Sequence, residues 1–167
     1  MKPDLRFDFL VDKEKNAVTI HREFNAGRQP VWDCHTKSEL LDRWFAPKPF
    51  TTETKSMEFR EGGHWHFAMI DPEGKKYWSL QEYRSISPID SYSAYDGFSD
   101  ETGAPNMDMP RSTWDATFTD APSGRTMVTT IVVYGSLADL ETVLQMGMQE
   151  GLTSTLERLD ELLATFG

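Results

Sequence analysis

The sequence predicts an α+β fold in which a curved antiparallel sheet of about seven strands wraps around one long C-terminal helix, with two short helices after the first strand. Three observations carry this. An amphipathic run ends the chain, six strand-length segments separated by tight turns fill its middle, and a proline-bounded helical pair interrupts the sheet early on. At 167 residues the chain suits one domain, residues 1–167, with a sizeable core.

Taken in order, Phe7, Phe9 and Val11 alternate with Asp8 and Leu10, residues 12–16 supply a polar turn, and 17–24 read as a strand, so a hairpin is predicted. On its second strand Val18, Ile20, Arg22 and Phe24 share a face, which places a guanidinium among apolar side chains. Arg22 is therefore either a pocket charge or half of an ion pair with a nearby carboxylate. Residues 30–36, with proline in the first turn, and 38–45, with Ser38 as cap, read as the short helices, stopped by Ala46-Pro47-Lys48-Pro49. Cys34 and His35 would point about 100° apart there and cannot act together; Cys34 reads as a small buried side chain. Segments 51–59, 64–70, 76–86, 91–98, 113–120 and 125–134 then read as an antiparallel meander. The connection 99–110 is too long and polar for a tight turn. Its Met107 and Met109 either cover a pocket mouth or ride on a surface loop.

Over residues 136–166, Leu137, Leu140, Leu144, Met148, Leu152, Thr155, Leu159, Leu162, Leu163 and Phe166 fall on one face, while Gln145, Gln149, Thr153, Glu157 and Asp160 fall on the opposite, wet one. Ser136 with Asp139 three residues on reads as an N-cap. A continuous helix here is roughly 45 Å long at 1.5 Å per residue. Gly147 and Gly151 each cost such a helix about 1 kcal/mol relative to alanine. Close packing of helix on sheet is the plain explanation; room for a ligand beneath the helix is the functional one.

Composition narrows the function. With 17 Lys and Arg against 27 Asp and Glu, the net charge of −10 argues against nucleic acid and anionic membranes as main partners. One cysteine, no charged-then-apolar leader and no long apolar run lead to the expectation of a cytoplasmic protein that is not inserted in a membrane. Aromatics make up 12% of the chain, with five Trp and ten Phe, more than its core strictly needs, so some are free to line a cavity. His64 and His66 project from one strand face as two metal ligands would, but no third ligand has convincing spacing. Phosphate-loop, nucleophile-elbow and helical zinc motifs are absent from the sequence, and no cofactor or metal is expected.

Several stretches, in order, resemble a known family: Trp44-Phe45-Ala46-Pro47, the segment 59–65 (FREGGHW), the segment 83–88 (YRSISP), Ala116-Thr117-Phe118, and 146–152 (MGMQEGL) leading to Leu156, Leu159 and Leu162. Together they are similar to the bacterial START-like (SRPBCC) proteins, and within these to the group related to the activator of the heat-shock-protein-90 ATPase. The resemblance implies a helix-grip, START/Bet v 1-like fold with a cavity between sheet and terminal helix that in relatives holds lipids or other apolar molecules. It supplies no shared reaction.

The leading expectation is a non-enzymatic binding protein for a small hydrophobic or aromatic molecule. Trp44, Phe45, Trp65, Phe67, Met69, Tyr95, Trp114, Phe118 and Met148 are its expected walls and Arg22 its anchor for a carboxylate or hydroxyl. A polyketide cyclase or dehydratase is the alternative, with His66, Tyr95 or Glu82 as acid or base provided they face the cavity. A chaperone-stimulating module is the lesser alternative, lowered because the chain has no room for the second domain on which the chaperone activator relies. Self-association as a homodimer stays open.

Overall fold

The computed structural model describes residues 4–166. Alternation writes eight strands into it: β1 (Phe7–Asp12), β2 (Ala17–Phe24), β3 (Thr51–Met57), β4 (His64–Ile70), β5 (Lys76–Ser87), β6 (Ser91–Phe98), β7 (Arg111–Ala121) and β8 (Arg125–Tyr134). They form one antiparallel sheet in the order β1-β2-β8-β7-β6-β5-β4-β3. Both strands of the opening hairpin count, which makes eight rather than seven, and the helical pair α1 (Arg28–Thr36) and α2 (Ser38–Leu41) follows the second strand, not the first. The turns are set by local chemistry. Asp71 Oδ1 accepts from the backbone N–H of Glu73 and Lys75, each at 2.9 Å, and closes the β4–β5 turn. Single-residue bulges at Lys55 and Arg84 bend their strands and help the sheet curve.

The terminal helix is not continuous. α3 (Leu137–Gln145) and α4 (Met148–Leu163) meet at Gly147, whose φ of +89° no helix interior contains. Ser136 caps α3 as its sequence implies, accepting from the Asp139 N–H at 3.1 Å. Gly147 thus ends one helix and starts the next. Gly151 does lie inside α4, yet a β-carbon there would touch only Pro47, at an ordinary 3.8 Å. Opposite outcomes follow for the two alanine substitutions. Gly147→Ala is expected to cost about 1 kcal/mol, from forcing a side chain into the left-handed region. Gly151→Ala is expected to stabilise by up to about 1 kcal/mol, from helix propensity. Urea unfolding midpoints of the two variants check the pair.

α4 lies across the inner face of the sheet and is wedged from two sides. On one, Arg158 Nη1 donates to the carbonyls of Ala46 and Phe50, both at 2.7 Å, and the Lys48 N–H donates to Ser154 Oγ at 3.0 Å. On the other, Asp160 reaches back to Arg22 of β2. Asp160, expected on the wet face, is therefore half-buried. Beneath α1 the inner face is packed solid: Trp32 meets Phe59, Tyr92 and Phe118 edge to face at ring separations of 5.8, 6.0 and 5.1 Å. Among the described residues no helix is long and apolar enough to cross a membrane.

Candidate functional site

The packing that fills one end of the sheet's inner face leaves the other unfilled. A cavity of about 370 Å³ lies between the sheet and the α3–α4 bend. Its walls come from alternate positions of the strands, including Ile20, Phe67, Met69, Gln81, Tyr92, Asp96, Trp114, Val128, Thr130 and Tyr134, and from Val143, Met148, Gly151, Leu152, Thr155 and Leu156 on the helices. Met146 and Tyr77 also line it while remaining 56% and 42% exposed, which puts the mouth between the helix bend and the start of β5.

Of the expected wall residues, the fold brings Arg22, Trp44, Phe45, Phe67, Met69, Trp114 and Met148 together around this space. Three do not reach it. Trp65 is buried behind Phe45 and Phe67, stacked on Phe67 at 3.7 Å with its indole N–H donating to Thr54 at 3.0 Å. Phe118 belongs to the solid aromatic end, 5.1 Å from the rings of both Trp32 and His35. Tyr95 points outward under Arg84, because the inward positions of β6 are Tyr92, Ala94, Asp96 and Phe98.

Arg22 lines the cavity, but its charge is already engaged. Nη2 donates to Asp160 Oδ2 at 2.5 Å and Nη1 to the Glu23 carbonyl at 2.6 Å, leaving Nε enclosed without a partner. It is no free anchor for a carboxylate. The acid–base nominees fare no better. His66 and Glu82 sit on the outer face, where His66 Nε2 meets the Asp100 carbonyl at 3.0 Å and Glu82 pairs with Arg111 at 3.1 Å. The 99–110 loop folds over His66, with Gly103 against its ring, so Met107 and Met109 cover no cavity mouth. His64 bonds Ser56 at 2.8 Å, and among the described residues no three metal-ligating side chains converge.

His35 and Asp96, an imidazole and a carboxyl in the wall, were not nominated from the sequence. His35 Nδ1 lies 2.8 Å from the Val31 carbonyl and must donate to it, which leaves Nε2 as the acceptor nitrogen. Burial lowers its pKa to about 4, against the opposing pull of that carbonyl. Asp96 stands beside its cross-strand neighbour Gln81, and burial raises its pKa to about 6, opposed by the Gln81 amide and then by the Arg111 charge. A signal for Asp96 existed in the sequence. It sits in phase with Tyr92 and Ala94, as Arg22 does with Ile20.

These shifts act on stability with opposite sign. His35 stabilises the fold fully above pH 6.5, and that contribution is lost as pH falls through about 4. Asp96 favours the fold below the ordinary carboxylate range, and that contribution is lost as pH rises through about 6. Between pH 4 and 6 they offset each other. Asp96→Asn leaves the histidine unopposed, so the variant is expected to lose stability on acidification more steeply than the parent. Equal slopes in urea titrations across that window would remove the carboxyl from this account.

Residues 25–164 match the family model described as activator of Hsp90 ATPase homolog 1-like protein. The chain belongs to that family. A crystal structure of a protein from Mycobacterium smegmatis is similar at 32% identity over 95% of this chain and 96% of its own, with a TM-score of 0.86. Solution structures from Arthrobacter aurescens (27% identity, 95% and 91% covered, TM-score 0.88) and Staphylococcus epidermidis (25%, 94% and 94%, 0.82) share the architecture. No protein of curated function matches. Family membership accounts for the curved antiparallel sheet and C-terminal helix and names no substrate.

Proposed function

We propose that this member of the activator of Hsp90 ATPase homolog 1-like family binds a small apolar or aromatic molecule in the cavity beneath α4. The observation that carries the reading is a space of about 370 Å³ with mostly apolar walls and a mouth at the helix bend. Well-formed ligand pockets run from about 300 to 1,000 Å³ and combine apolar walls with a few polar groups, so the fit is to a small ligand. Burying that ligand's apolar surface supplies the affinity, at about 25 cal/mol per Å² before the costs of association. Native mass spectrometry and dye displacement across a library of lipids and aromatics test it. Saturable one-to-one binding is expected; a library without a binder overturns the reading.

A second reading, docking on a chaperone, draws on the outer face of β1, β2 and β8, where Leu10 and Ile131 flank Thr19 and are 54% and 40% exposed. Pull-downs with Leu10→Glu and Ile131→Glu as controls test that reading. If the unaltered protein recovers no chaperone, it is dismissed.

A further inference from the structure

The wall of the cavity carries one carboxylate and no free cation among the described residues. Asp96 faces inward from β6 between Gln81 of β5 and Ser112 of β7, its cross-strand neighbours. The guanidinium whose charge reaches it is that of Arg111, which pairs with Glu82 on the outer face at 3.1 Å. Arg22 is the one Lys or Arg in the wall, and Asp160 neutralises it. His35 stays neutral at physiological pH. Tyr92 and Tyr134, whose phenols burial holds protonated, lie close enough to feel the Asp96 charge.

A carboxylate left without a cation at the edge of an apolar space is costly unless a ligand supplies one. An anionic ligand such as a fatty acid would meet like charge there, and the net charge of −10 repels it further. A cation is drawn in by both, and Trp44 and Trp114 put aromatic side chains in the same wall.

We propose that the cavity selects an apolar amine, its protonated nitrogen seated on Asp96 and its hydrocarbon or aromatic body against Trp44, Phe67, Trp114 and Leu152. This rests on the cavity-binding reading above and adds the chemical class of the ligand.

Probes of one shape separate the two claims: methylnaphthalene, naphthylmethanol, naphthylmethylamine and naphthoate, followed by calorimetry and by quenching of tryptophan fluorescence at neutral pH. A charge-assisted hydrogen bond to a carboxylate in the cavity wall is expected to make the amine bind about tenfold to a hundredfold tighter than the alcohol, with naphthoate weakest. Asp96→Asn is expected to erase that ratio. Glu53→Gln, which removes a carboxylate paired with Lys76 at 3.2 Å outside the cavity wall and so the same charge, is expected to keep it. Amine and alcohol binding alike, naphthoate binding best, or a ratio that survives in Asp96→Asn overturns the amine proposal while leaving the cavity reading in place. If no probe binds, methylnaphthalene included, both fall. The comparison on the unaltered protein decides the matter even where the Asn variant does not fold.

Discussion

Asp160→Ala is expected to destabilise the fold by about 3 kcal/mol, a large effect for one exposed-looking acid in a helix of this pattern. The reason lies on β2. The Arg22 side chain is only 8% exposed, packed over the rings of Phe24 and Phe7 at 4.9 and 5.7 Å, and Asp160 supplies its one carboxylate. Taking away the acid leaves an enclosed guanidinium with Nε already unpartnered and Nη2 newly so. Asp160 itself keeps 30% of its side chain exposed, which sets the cost at the lower end for broken buried pairs. The double change Arg22→Met with Asp160→Leu is expected to recover most of the loss, because the penalty is a stranded charge and not a missing attraction. Urea unfolding with an unchanged m-value measures both. A single-variant cost below about 1 kcal/mol would show that water in the groove behind Phe7 hydrates the guanidinium. Arg22 lines that groove as well as the cavity, so the ion pair is the partition between them.

The second large effect is on binding. Thr130→Phe places a ring into the cavity from the middle of β8, and is expected to weaken an apolar ligand's binding by roughly seventyfold. Displacing roughly 100 Å² of ligand contact at about 25 cal/mol per Å² amounts to about 2.5 kcal/mol. Stability should change by less than about 1 kcal/mol, since the ring enters space that is empty and the lost hydroxyl has no protein partner among the described residues. At Val132, two positions along the same face but fully buried and outside the cavity wall, the same aromatic would overpack the core and cost about 1–3 kcal/mol. Calorimetric titration with the best ligand from the library, beside melts of both variants, makes the comparison. Undiminished affinity in Thr130→Phe would place the ligand elsewhere.

Most of the elements were legible because their causes are local. The Ser136 cap, the Asp71 turn and the inward face of β2 each depend on residues within a few positions of one another. The same alternation that exposes Arg22's position on β2 makes Tyr92, Ala94 and Asp96 one face of β6. Tyr95 lies one residue out of that phase, which in a strand is a change of side. The break at Gly147 lay within reach too, since a glycine after a helical run also suits a left-handed helix end. Apolar periodicity continues past it with hardly a slip in phase. That continuity concealed the bend.

By itself the amino-acid sequence determined the class of fold, the inward face of most strands and the excess of aromatic side chains facing α4. Only the tertiary structure decided which of those aromatics fill space and which enclose it, and which charges remain free. The Arg22–Asp160 pair joins positions 138 residues apart, and Trp65 is screened by Phe45, which arrives from the turn after α2. Whether a void survives depends on summed side-chain volumes from elements distant along the chain. Periodicity records the direction a residue faces, and carries nothing about what meets it from the other side.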